Sequence, residues 1–75
     1  MKDLVDYIAR ALVDHPDQVV VNEARHGTDL VLKLRVAPED AGRVIGKGGK
    51  VANAIRALLR TAGTRDGQYI ELEIE

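Results

Sequence analysis

Three glycines in four residues, Gly46-Lys47-Gly48-Gly49, lie between two stretches of helical periodicity, and this cluster restricts the fold more than any other feature. Upstream, Pro38 suits the first position of a short helix, with Glu39 and Asp40 set against its positive end. That helix is expected to run through about Val44-Ile45 and break at Gly46. Downstream, Val51, Ile55, Leu58 and Ala62 mark the buried stripe of a longer helix, and Gly63 reads as its terminating glycine. Two helices joined by so tight a turn need a common support.

The rest of the chain reads as that support. Val19-Val20-Val21 begins a β-branched strand reaching about Arg25, and His26-Gly27-Thr28-Asp29 supplies hairpin chemistry. Leu30, Leu32, Leu34 and Val36 then share one face, while Val31, Lys33 and Arg35 share the other. After a polar loop from Thr64 to Gly67, Ile70, Leu72 and Ile74 alternate with Tyr69, Glu71, Glu73 and Glu75. At the amino terminus Asp3 can cap a helix carrying Leu4, Ile8, Ala11 and Leu12. That helix should stop near Asp14, because Pro16 disfavours helical geometry at His15. The order is α-β-β-α-α-β, an α+β architecture with helices on one face of a sheet. A chain of 75 residues buries only roughly 60% of its unfolded surface, so one domain over residues 1–75 with a small core is expected. Such a core gains from self-association.

A formal net charge of -1 does not announce a nucleic-acid binder. The distribution of charge points the other way. From Ala41 through Arg65 the charged residues are Arg43, Lys47, Lys50, Arg56, Arg60 and Arg65, with no acid among them. One basic stretch in an otherwise acidic chain makes a local field that attracts phosphate. Glycine removes bulk, so a phosphodiester can approach the main chain, and the opening amides of the next helix favour an anion. Lys47 and Lys50 add full charges. Lys50, Asn53, Arg56 and Arg60 fall on the face opposite Val51, Ile55 and Leu58, so one helix has an apolar and a basic side.

Other functions fit poorly. Counting from Gly42, the P-loop pattern needs glycine where Lys47 stands, and a Rossmann turn joins strand to helix rather than helix to helix. His15 and His26 fall in separate segments and read as ordinary loop residues. No nucleophile, base and orienting group converge, so neither catalysis nor a cofactor, metal or small-molecule substrate is expected. Cysteine is absent, no apolar run reaches membrane-spanning length, and Asp3 and Asp6 oppose a secretory signal. A cytoplasmic protein without a membrane partner is expected. The chain has no Phe or Trp and only two tyrosines, which disfavours base-stacking platforms. Tyr7 should cover the core edge and Tyr69 the outer sheet face. Glu71, Glu73 and Glu75 should form a solvated face, paired with Lys33 or Arg35, that turns a nucleic acid toward the helical side.

Ile45-Gly46-Lys47-Gly48-Gly49 resembles the I-G-x-x-G motif of KH domains, whose GXXG loop clamps about four nucleotides of backbone. The element order is similar to the type II arrangement of bacteria. The stretch from Gly42-Arg43-Val44 to Ala54-Ile55-Arg56 resembles the single-domain KhpA family in particular. The resemblance covers nearly the whole chain. One departure is Gly48, which leaves Lys47 as the only side chain in the loop.

The resemblance implies a three-stranded mixed sheet with one parallel pair and three helices packed on one face. It implies single-stranded RNA as ligand, held with little sequence selectivity. Gly46, Lys47, Gly48, Gly49 and Lys50 would hold the backbone. Bases would lie in an apolar groove between the two central helices and an edge strand, with Arg43, Val44, Ile45, Ala52, Asn53 and Arg56 on the groove or its basic face. The Thr64 to Gly67 loop corresponds to the variable loop across that groove, which makes Arg65 a second contact. Further implications are RNA-chaperone or post-transcriptional regulatory work, a homodimer or a heterodimer with a KhpB-type partner, and a link to cell shape and envelope homeostasis. The alternative is a protein-interaction or dimerisation module in which RNA binding is secondary.

Overall fold

Strict alternation along the central leucines sets the architecture. The computed structural model describes residues 1–75. In it Leu30, Leu32, Leu34 and Val36 are all buried, while Lys33 and Arg35 between them are exposed. All but Val36, which follows it, belong to β2 (Asp29–Arg35), which pairs antiparallel with β1 (Val20–His26) and parallel with β3 (Tyr69–Ile74). The sheet order is β1-β2-β3. The hairpin needs only Gly27 and Thr28 between its strands, and Gly27 takes a positive φ of 64°. The register sets Leu32 opposite Glu23 on one side and Leu72 on the other, and Leu30 opposite Ile70. The mixed sheet with one parallel pair is therefore as the resemblance implied.

Three helices complete the order α-β-β-α-α-β: α1 (Lys2–Leu12), α2 (Ala41–Ile45) and α3 (Lys50–Asp66). They cover the face bearing Val21, Leu32, Leu34, Ile70 and Leu72. Val5 and Ala9 of α1, Val44 of α2, and Ile55 and Leu59 of α3 supply the helical half of the core. Fully burying one of these Val, Ile or Leu side chains stabilises by roughly 1.5–3 kcal/mol. Single 3-10 turns at Pro16–Gln18 and Pro38–Asp40 lead into β1 and α2, each with proline in the first position.

Several local expectations are corrected. Asp3 lies inside the first turn of α1 and Met1 is the cap residue, without a side-chain hydrogen bond. The buried stripe of α1 is rotated: Leu4 and Ala11 are exposed, and Val5 and Ala9 point inward. In α3 the buried residues are Ala52, Ile55, Leu59 and Gly63, whereas Leu58 is 55% exposed. The helix does not end at Gly63 either. Thr64, Arg65 and Asp66 are helical, so they are no loop, and Gly67 takes the left-handed conformation that closes the helix. Gln68 N donates to Gly63 O at 2.8 Å and Gly67 N to Thr64 O at 3.3 Å, the paired bonds of a Schellman cap. Tyr7 is 74% exposed and covers little of the core edge.

Candidate nucleic-acid interface

α2 ends because the chain cannot continue through Gly46. This residue has φ 77° and ψ 170°, a region open essentially to glycine alone. A Cβ here would also stand 2.8 Å from the Val51 backbone nitrogen and 2.9 Å from its Cβ. Gly46 is thus required twice, by its own backbone and by the first turn of α3. Gly48 and Gly49 follow with φ of 65° and 80°, and the turn closes within Lys47–Gly49. Around Gly48 no atom lies within 4 Å of the Cβ position. The tip of the turn is open space.

The opening amides of α3 are partly spent. Gly49 N donates to Gly46 O at 3.1 Å and Lys50 N donates to Lys47 O. Those two bonds stiffen the turn and remove two of the donors the sequence offered to an anion. Positive charge remains. Lys47 and Lys50 are exposed and no acid pairs with either. Lys50, Asn53, Arg56 and Arg60 follow at spacings of three and four, so they form one stripe along α3. From Lys50 to Arg60 it spans about 15 Å at 1.5 Å per residue.

Arg43 on α2 is also exposed, but its guanidinium pairs with the Asp14 carboxylate at 3.1 Å. Ile45 is 40% exposed beside the turn. Val44 and Ala52 are buried at 0% and 2%, so they hold the helices on the core and present no surface to a ligand. Arg65 is exposed in the last turn of α3, about 22 Å from Lys50 by helical rise. The structure therefore places it away from the glycine turn.

A cavity of about 310 Å³ lies between α3 and β3, lined by Arg56, Arg60, Tyr69, Ile70, Glu71 and Leu72. It borders the edge strand β3, takes no residue from α2 or the glycine turn, and half of its lining is charged. Arg56 donates through Nε and Nη2 to Leu72 O at 3.4 and 3.3 Å, and through Nη1 to Asn53 Oδ1 at 3.4 Å. The sequence predicts Arg60 on the basic face, Leu72 in the core, and Tyr69 and Glu71 on the outer face of the sheet. Only the parallel pairing of β3 brings these residues to α3.

α2 is anchored from below by a contact that left no trace in the sequence. Asp40, 1% exposed, accepts the His15 backbone N–H at 3.0 Å, the Asp14 N–H at 3.3 Å and a bond to His15 Nδ1 at 2.9 Å. It stands at the N-cap of α2, against the helix dipole as expected, without a side-chain cap bond. His15 is no free loop residue. The hydrogen bond to Asp40 raises the His15 pKa above its ordinary value, against the opposing effect of burial. Burial pushes Asp40 upward, but the bonds from His15 and the two backbone amides outweigh it and hold its carboxyl below the ordinary range. The pair fixes the chain between α1 and β1 to the segment that launches α2.

No helix is long and apolar enough to cross a membrane. The model of the KhpA/KhpB KH domain matches residues 2–74. The chain is 47% identical to the RNA-binding protein KhpA of Caldanaerobacter subterraneus subsp. tengcongensis over 74 residues, 99% of each chain. It is 45% identical to the RNA-binding protein KhpA of Clostridium perfringens over 99% of each chain. Against the RNA-binding protein KhpA of Listeria monocytogenes identity is 46%, covering 99% of this chain and 97% of the relative. No solved structure matches. With the type II element order and the open glycine turn in place, these matches show that the chain belongs to the KhpA/KhpB family of KH-domain proteins.

Proposed function

We propose that this chain binds single-stranded RNA, with the backbone seated on Gly46-Lys47-Gly48-Gly49 and Lys50, and with the Asn53 and Arg56 face of α3 beside the bases. The observation that carries the reading is the empty space around Gly48, between two unpaired lysines, in a turn that Gly46 fixes sterically. Bulk would keep a phosphodiester away, and none is present. The relatives are named for RNA binding. A single site of about four nucleotides binds weakly, with a dissociation constant on the order of micromolar.

Salt titration of binding to a labelled unstructured RNA tests this. Each phosphate neutralised contributes about -0.7 to the log-log slope, so three contacts give a slope near -2. A slope near zero, or no binding, overturns the reading.

Within the same reading the chain acts without catalysis, in the cytoplasm, as an RNA chaperone or post-transcriptional regulator with a KhpB-type partner. The family's link to cell shape and envelope homeostasis is part of it. A second reading, self-association or pairing with that partner, draws support from Leu58, which is 55% exposed on α3 with no apolar cover. Avidity from two sites would raise RNA affinity without new contacts.

A further inference from the structure

Arg56 is unusual among the cations of α3, because its guanidinium is held in a fixed place inside the cavity. A guanidinium carries five N–H donors in a planar fork. Nε and Nη2 each give one to Leu72 O, and Nη1 gives one to Asn53 Oδ1. Two remain, one on each terminal nitrogen. Meanwhile Tyr69 N donates to Thr28 O and Glu75 N to Leu34 O, so the odd-numbered residues of β3 face β2. Leu72 therefore turns its carbonyl to the free edge, where Arg56 covers it. At this point an acceptor of the strand has been exchanged for a pair of donors.

The geometry points to Arg56 as a specificity-determining residue that selects guanine at one position of the bound RNA. This rests on the RNA-binding reading above and adds a base preference to it. Guanine presents O6 and N7 as adjacent acceptors, the pattern a guanidinium fork matches in two bonds. Adenine and cytosine bring an amino group to the corresponding edge and set N–H against N–H. Glu71 lines the same cavity. Its negative charge beside the cavity disfavours a phosphate there. Tyr69, which is 61% exposed, lines it as well. Arg56 stands six residues from Lys50, about 9 Å along the helix. One short strand reaches both the glycine turn and the cavity.

The test uses the full chain and uridine octamers carrying one guanosine, adenosine, cytidine or 7-deazaguanosine at a central position, with affinities read by fluorescence anisotropy. Guanosine is expected to bind about tenfold tighter than adenosine or cytidine, as one bidentate base contact provides. 7-Deazaguanosine lacks the N7 acceptor but keeps O6, so its affinity is expected to fall between those of guanosine and adenosine. In R56K, which keeps the charge but loses the fork, the ratio of guanosine to adenosine affinity should approach one. Equal affinities for all four octamers overturn the base preference and leave RNA binding standing. So does a 7-deazaguanosine affinity equal to that of guanosine, a readout that needs no variant. A guanosine preference that survives in folded R56K also overturns it, while failure of the wild type to bind any octamer overturns the parent reading as well.

Discussion

Gly63 of α3 lies so close to Ile70 of β3 that a Cβ on the glycine would stand 3.1 Å from both Ile70 Cγ1 and Cδ1, and 2.6 Å from Gln68 O. The helix and the edge strand meet at this glycine, and the cavity walls depend on their separation. G63A is expected to destabilise the fold by about 1–3 kcal/mol, the cost of forced overpacking. Urea unfolding followed by circular dichroism checks it, and an unchanged midpoint would show that the two elements separate at no cost.

The glycines of the turn should differ sharply. G46A combines a backbone region closed to alanine with a clash against Val51, and should cost about 2 kcal/mol or more. In a domain of this size that lowers the melting temperature by roughly 10 °C. G48N should cost little, because Asn tolerates the left-handed conformation and the space is open. Thermal melts of the two variants side by side provide the measurement.

The His15–Asp40 pair predicts a particular pH dependence. His15 is raised above 6.5, so its contribution is complete below 6.5 and is lost as pH rises through the higher folded value. Asp40 is held below 3.8, so its contribution is complete above 3.8 and is lost as pH falls through the lower folded value. Stability from the pair is therefore greatest between about pH 4 and pH 6.5. H15Q should flatten the alkaline limb of a plot of urea midpoint against pH. A limb of unchanged height in H15Q would assign it to other groups.

Asp14 is tied to the interface by its ion pair with Arg43 at 3.1 Å. Both side chains are largely exposed, so D14N should change stability by no more than about 0.5 kcal/mol. Freed of its partner, Arg43 should raise RNA affinity about twofold at low salt, with the gain fading at high salt. Anisotropy titrations at two salt concentrations read this directly.

Much of this was legible in the residues. The alternation of Leu30, Leu32 and Leu34 can be satisfied by one strand facing one core, and Gly46 admits one role in its place. Helix faces were harder to read. Leu58 and Leu59 are adjacent and equally apolar, and only the docking of α3 on β3 selects Leu59 for the core. The glycine that ends α3 is Gly67 rather than Gly63, because close packing is as good a reason for glycine as a left-handed turn. Asp40 and His15 are 25 residues apart, and no local pattern marks a buried carboxylate that serves a distant backbone. The cavity belongs to the same class. Arg56 and Leu72 meet only after the sheet has formed.

Binding of a short unstructured RNA by K47D/G48D examines the glycine clamp most directly. Gly48 accepts aspartate in its left-handed conformation and Lys47 is exposed, so the variant should fold and melt within a few degrees of wild type. Its RNA affinity should fall by about a hundredfold, or roughly 2.7 kcal/mol, at near-physiological salt. A folded variant that retains wild-type affinity would contradict the clamp and place the RNA elsewhere on the molecule.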